Sequence, residues 1–433
     1  KATKATKATK ATKATKATKA TKATKATKAT KATKATKATK ATSYEEYLGK
    51  TFDVNSGELN TAEAEKEIIE KKEKINILLM GQSGVGKSTL INAFFRVDMA
   101  KSGVGAPVTQ RLKKFYFKEK GLIFWDTKGI EAVDYQETFN DLKVELNEAK
   151  KEAVKQNSID SLPHVAWLCI KETSGRIESR EFELVKLVHD EFNIPVVVVF
   201  TQTQYEDGEK FVAEAKKLFD KNGCKKAIND RYTRVNSVDY SINGHKIPKS
   251  GLDDLQSMTE QATEGKKGAK TALKKAQTHN SKLRLEAMIS SSQNKVHLAA
   301  AAAGTAGASP IPGSDAPIIA AIQSTMIYTI NSEFEINSEI SNISSVITGI
   351  LGVTAIAQIG KTVVSNLLKF IPGAGTLIGG AISATTAIAI TEAVGRAYIK
   401  VLENYYDIDQ AKVVLPKDTE AILRMFKNIF VRP

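Results

Sequence analysis

The sequence predicts an α/β domain built on a mainly parallel sheet, followed by an all-α hydrophobic region. Three observations predict it. Residues 81–88 read Gly-Gln-Ser-Gly-Val-Gly-Lys-Ser, a G-x-x-x-x-G-K-[ST] stretch between an apolar strand pattern and a helix pattern. Strand-like and helix-like segments then alternate as far as Ala262. Between Ile343 and Thr391 the only charged residues are Lys361 and Lys369.

Residues 1–42 repeat Lys-Ala-Thr without variation and bring 14 lysines. A period of three keeps no face of a helix apolar, so the repeat is read as an appended or disordered low-complexity tail and set aside from the fold. The rest of the chain carries 49 basic against 48 acidic residues. That near-neutral balance gives no basis for nucleic-acid recognition beyond non-specific binding by the tail. The two cysteines and five histidines have no metal-type spacing, which argues against a disulfide framework or a zinc site and makes a reducing, cytoplasmic setting the default.

Residues 43–74 form an N-terminal helical segment. Asn60 is a cap, Glu63 sits at capping-box spacing, and Ala62 to Lys74 is rich in helix formers. The α/β domain spans 75–265. Ile75–Met80 is a buried strand, and Thr89 to Phe95 begins a helix. In the loop between them the glycines let successive N–H groups face a phosphate, and the helix N-terminus adds partial positive charge. Gly81, Ser83, Gly84, Val85, Gly86, Lys87, Ser88 and Thr89 are the phosphate-binding set. Lys87 would reach the β- and γ-phosphates, and the Ser88 hydroxyl would ligate Mg²⁺.

Gly103 to Gln110 is a small-residue loop. Lys113–Lys118 and Gly121–Trp125 are strands joined by a turn through Glu119-Lys120-Gly121. The second ends in Asp126-Thr127-Lys128-Gly129, about 40 residues after the phosphate loop. There Asp126 would hold the Mg²⁺ shell, and the Gly129 N–H would meet the γ-phosphate. His164–Ile170, Pro195–Phe200 and Arg231–Ser237 follow as strands, with helices over Glu178–Glu191, Phe211–Lys221 and Leu252–Ala262.

On these motifs, over about residues 70–265, the chain resembles a P-loop GTPase domain of the Era-like and dynamin-related kind. Further matching pieces are Ala106-Pro107-Val108-Thr109 and Gly251-Leu252-Asp253-Asp254-Leu255. The resemblance implies GTP as substrate, GDP as product and Mg²⁺ as cofactor. It also implies that Thr109 ligates Mg²⁺ and acts with Lys87 in catalysis. Two departures stand out. The family's guanine-reading Asn/Thr-Lys-x-Asp is here Thr201-Gln202-Thr203-Gln204, and a glutamine accepts one hydrogen bond without charge assistance. A shifted alignment gives that role to Glu206 or Asp207. Thr201, Gln202, Gln204 and, after the last strand, Ser237 (beside Asn236) are the candidate base-side residues. Where Ras-type enzymes orient water with glutamine, this chain has Ile130, so slow intrinsic turnover is expected unless a partner, such as a nucleotide-dependent homodimer, completes the site.

Lys266–Lys295 is read as a basic helical connector with a solvated face, and residues 296–433 as a hydrophobic helical domain. A helix is expected from about Ala316 to Phe334, and an amphipathic one after Asp407 with Ile422, Leu423, Phe426 and Phe430 on one side. Ile343–Gly360 and Phe370–Thr391 are uncharged runs of 18 and 22 residues, against about 20 for a membrane span. They are diluted by Ser, Thr, Ala, Gly and Pro372, so a soluble bundle and a membrane-associated domain both stay open. Gly375 and Gly379 have helix-approach spacing. Ser309-Pro310-Ile311-Pro312-Gly313-Ser314-Asp315-Ala316 and the stretch Ile371–Gly380 resemble a hydrophobic helical domain of unknown function fused to bacterial and fungal GTPases. This implies membrane lipid or an assembly partner. The expected function is a GTP-hydrolysing switch controlling that region. The alternatives are a soluble nucleotide-stabilised scaffold and an Era-like ribosome- or RNA-associated GTPase.

Overall fold

The computed structural model describes residues 43–98, 105–107, 112–127, 135–156, 158–174, 176–203, 208–242, 244–307, 315–336, 343–354 and 384–431. Chain contacts divide it into two units. One takes 1–59, 296–325 and 354–394, and the other 60–295, 326–353 and 395–433. The division is interleaved in sequence.

In the larger unit the Asn60 side chain accepts from the Glu63 N–H and caps the helix Thr61–Lys71. The chain then builds a seven-stranded sheet from β1 Ile75–Met80, β2 Gly105–Pro107, β3 Leu112–Phe117, β4 Leu122–Thr127, β5 Val165–Lys171, β6 Val196–Thr201 and β7 Tyr232–Val235. The spatial order is β2-β3-β4-β1-β5-β6-β7. The β2–β3 and β3–β4 pairs are antiparallel and all the others parallel. Every residue of β1 and β6 is buried, as a strand covered on both faces requires.

One face packs Phe94, Phe95, Phe124, Trp167, Leu255 and Leu273. These come from the helices Lys87–Phe95, Leu252–Ala262 and Ala269–Ala276 and from the strands beneath them. The other face packs Trp125, Leu142, Leu146, Phe200 and Phe219, under the helices Tyr135–Gln156, Ser179–Lys186 and Gly208–Lys221. The register sets Leu79 beside Asp126 and Met80 beside Leu168, so the phosphate loop and the acid leave the sheet at the same edge.

Several expectations are corrected. The fourth strand runs from Leu122 through Thr127, because Gly121 (φ +63°) is the turn, where an added Cβ would collide with the Glu73 carbonyl. The 22-residue helix Tyr135–Gln156 was not anticipated, although Thr138, Leu142, Leu146, Ala149 and Ala153 trace its buried stripe. The 266–295 stretch is not a solvated spacer: Ala269, Ala272, Leu273 and Ala276 join the sheet's core, and Lys275 and Arg284 are buried. After Asn404 the chain forms a hairpin, Tyr406–Asp407 with Lys412–Val413, before the helix Thr419–Val431, which buries Ile422, Phe426 and Phe430.

Lys275 and Arg284 are buried with partners. Lys275 pairs with Glu333 and stands 3.2 Å from Glu73. Glu335 accepts from Arg284 at 2.7 Å and Lys120 at 3.0 Å, and Lys72 donates to the carbonyls of Glu119 and Ser332. Burial pushes Lys72 down to about 8, against the pull of Glu335 and Glu333. Burial alone would raise Glu335, but Arg284, Lys120 and Lys72 hold it at about 2. Buried charges persist only in such company.

In the smaller unit Ser43 caps the short helix Tyr44–Leu48, and the Tyr44 N–H donates to Thr305 Oγ1 at 2.9 Å. Gly304 and Gly307 let backbone approach Ile388 and Ala384. The last eight residues of the Phe370–Thr391 run belong to the helix Ala384–Asn404, which continues through Glu392, Arg396 and Lys400. In the larger unit the described part of the Ile343–Gly360 run, Ile343–Thr354, is helical. No helix among the described residues is long and apolar enough to cross a membrane. Gly375, Gly379 and the segments 309–314 and 371–380 lie outside the described residues.

Candidate functional site

The loop after β1 turns on three glycines with positive φ, Gly81 (140°), Gly84 (77°) and Gly86 (98°). Gly81 allows no substitute, since an added Cβ would overlap the Cys169 carbonyl on β5. Gly86 is the left-handed residue at the start of the helix Lys87–Phe95. Lys87, the first residue of that helix, folds back over the loop. Its Nζ donates to the carbonyls of Gly81 (2.8 Å) and Gln82 (3.1 Å), and the side chain is only 9% exposed. The lysine is therefore held at the loop's concave side, with Ser88 and Thr89 following on the same turn.

Asp126, at the tip of β4, faces this lysine. Its Oδ1 is 4.0 Å from Lys87 Nζ, is buried, and accepts no hydrogen bond among the described residues. Burial raises the Asp126 carboxyl, while Lys87 and Lys113 oppose the rise. A buried carboxylate oxygen without a donor is a ready acceptor for a cation. The adjacent Thr127 hydroxyl donates to Leu79 O at 3.0 Å and locks β4 to β1.

β6 closes the loop from behind. The Thr201 hydroxyl meets Val85 O at 2.5 Å, and Gln202 (φ +56°) donates from Nε2 to Gly84 O at 3.3 Å. These two candidate base-side residues thus donate to the phosphate loop's own carbonyls. Ser237 is buried beside a polar cleft of about 470 Å³ that also takes in Thr89, Asn92 and His279. Its neighbour Asn236 is committed elsewhere: Nδ2 donates to Val238 O and Pro248 O, both at 2.8 Å, and closes the neck of the hairpin Tyr240–Ile242/His245–Ile247.

The structure brings together Gly81, Ser83, Gly84, Val85, Gly86, Lys87, Ser88, Thr89, Asp126, Thr201 and Gln202 at one sheet edge. Thr109, Gly129, Ile130, Gln204, Glu206 and Asp207 lie outside the described residues. Two further features leave no local signal in the sequence. One is the Cys169 carbonyl packed against Gly81. The other is the ion pair of Glu172 with Arg234, whose residues are 62 apart in the chain. Cys169 itself is inert, its thiol pushed up to about 12 by burial.

A family model described as 50S ribosome-binding GTPase matches residues 76–202. A probable GTP-binding protein EngB of Mycoplasma genitalium is 47% identical over 47 residues, which are 11% of this chain and 25% of that protein. The matched stretch thus spans a quarter of that relative's length. Among solved structures, a probable GTP-binding protein engB is 16% identical with a TM-score of 0.30, over 43% of this chain and 98% of the other. The septin GTPase domain from Chlamydomonas reinhardtii is 14% identical with a TM-score of 0.30, over 47% of this chain and 95% of that one.

Proposed function

We propose that this chain is a GTP-binding and GTP-hydrolysing switch, with Mg²⁺ at the phosphate loop, that controls its own C-terminal helices. One observation carries the reading: Lys87 is folded against the loop carbonyls 4.0 Å from a buried Asp126 oxygen that accepts no hydrogen bond among the described residues. The match of residues 76–202 to a GTPase family model supports it.

The loop N–H groups and Lys87 would bind the phosphates, with Lys87 exchanging its carbonyl partners for phosphate oxygens. The donor set suits Mg²⁺, a hard cation that takes hydroxyl and carboxylate oxygens. Ser88 and Asp126 would hold it, joined by Thr109. When bound, Mg²⁺ supplies charge neutralisation at the β- and γ-phosphates. Ile130 cannot orient the attacking water, so turnover is slow until another group, such as one from a second copy of the chain, enters. The loops around Thr109 and Gly129 would carry the switch, and the apolar runs after Ile343 would place the effector end at lipid.

Purified protein tests this directly. It should bind fluorescent GTP with Mg²⁺ at one site and hydrolyse it slowly in single turnover. Failure to bind any guanine nucleotide would sink the proposal, and binding without hydrolysis would favour the scaffold reading. The family model's description supports a second reading, association with the large ribosomal subunit. Co-sedimentation of a chain lacking residues 1–42 with ribosomal subunits tests it free of the basic tail. Flotation with liposomes tests the lipid reading.

A further inference from the structure

We propose that Glu172 and Arg234 form a positioning pair that sets base selectivity at the nucleotide site. This rests on the nucleotide-binding reading above and names a determinant outside its motifs.

Glu172 directly follows β5, Arg234 lies in β7, and β6 runs between those strands. The pair therefore arches across the C-terminal tip of β6. Arg234 Nε and Nη2 donate to the two carboxylate oxygens at 2.7 and 2.9 Å, and the Glu172 side chain is only 3% exposed. A two-pronged guanidinium–carboxylate contact fixes orientation as well as distance, which a lysine could not do.

One point of the chain flanks this arch and another packs on it: Thr201 pairs in the ladder with Lys171 and Val235, the neighbours of Glu172 and Arg234. Thr201 ends β6 and, with Gln202, holds the phosphate-loop carbonyls of Val85 and Gly84. Gly208 begins the helix Gly208–Lys221 and packs so closely that an added Cβ would overlap both the Glu172 carboxylate and the Arg234 guanidinium. The carboxylate there also offsets the positive end of that helix. One ion pair thus seats the start of the helix that follows β6, beside the point where the chain leaves that strand. In an open parallel sheet the ligand lies at the strand C-terminal ends, so this crossing faces the nucleoside end of a nucleotide whose phosphates sit on residues 81–88. The pair need touch no ligand atom to decide how well a base is read. It acts by holding Thr201 and Gly208 in register with the phosphate loop.

The test is competition against fluorescent GTP by GTP, ATP and inorganic tripolyphosphate, with Mg²⁺, on full-length protein. The variants are Arg234→Met, Arg234→Lys, Glu172→Gln and the swap Glu172→Arg with Arg234→Glu. Arg234→Met should cut the GTP-over-ATP preference about tenfold, the scale of one lost charge-assisted contact, and leave tripolyphosphate binding within about twofold. Arg234→Lys should be intermediate, and the swap should recover much of the preference. Folded variants with the parent's preference overturn the inference. So does a parallel loss of GTP, ATP and tripolyphosphate binding, which marks a merely structural staple. A parent chain with no preference for GTP removes the guanine reading itself, a result distinct from either.

Discussion

Lys87 Nζ and Asp126 Oδ1 stand 4.0 Å apart, near enough to attract and too far to hydrogen-bond, while the lysine donates to the carbonyls of Gly81 and Gln82. At that distance the two groups attract without either being locked to the other. The lysine's removal costs the fold two loop hydrogen bonds and the packing of one buried side chain, but leaves the hydrophobic core on both sheet faces intact.

Lys87→Ala should therefore keep the fold, with a stability loss of about 1–2 kcal/mol, and weaken triphosphate binding by about a hundredfold or more. Thermal unfolding and nucleotide titration read the two effects separately. Binding of GTP at the parent's affinity would mean that residues 81–88 are not the phosphate site.

Gly81→Ala should be worse for the fold than Lys87→Ala. The φ of +140° strains any side chain, and the Cys169 carbonyl blocks the added carbon. A loss of about 2–4 kcal/mol is expected from strain and overpacking together. Gly84→Ala has a positive φ of 77° but open space around it, and should cost about 1 kcal/mol. Equal unfolding midpoints for the two variants would refute the steric account.

The Glu335 carboxyl, held at about 2, gives a sign to acid stability. Its folded value is below its ordinary 4.5, so its contribution is full above that value and is lost as the pH falls from about 4.5 to 2. Glu335→Gln should lower stability at pH 7 by about 3 kcal/mol and flatten the acid limb of the unfolding midpoint. Parallel acid limbs in variant and parent would exclude Glu335 as a contributor.

A chain ended after Lys295 should fold poorly. The cut falls inside the helix Ser281–Ala306 and removes Glu333, Glu335 and the Ala411 carbonyl that accepts from Arg284. Lys275 and Arg284 would then lose those partners, an effect of about 3–5 kcal/mol for a broken buried pair. Circular dichroism and size-exclusion chromatography decide it. A stable, monomeric 43–295 fragment would show that those later segments are dispensable to the sheet.

The nucleotide half was legible because its signals are local. A strand, a glycine loop and a helix N-terminus lie within twenty residues, and Asp126 is one strand away. The helix Leu252–Ala262 matches its expected bounds because Gly251 (φ +78°) begins it and its apolar period is clean. The connector was misread because its lysines look solvated until Glu73, Glu333 and Glu335 are seen beside them, and two of those acids come from a segment about 60 residues away. The Glu172–Arg234 pair was invisible for the same reason. Ion pairing across a sheet leaves no period in the sequence.

The Asn236 neck also bears on how the chain could be lengthened. Its amide holds both ends of the excursion, and Asn236 and Ser250 exchange backbone hydrogen bonds at 3.0 and 3.1 Å. The sheet and the helix Leu252–Ala262 are thus joined across the neck rather than through the hairpin. Gly244, at the tip (φ +82°), has nothing within 4 Å of an added carbon. Cargo grafted at that tip, whether a peptide tag or a fluorophore loop, would hang from a closed ring, and the strain of its length would stop at Asn236.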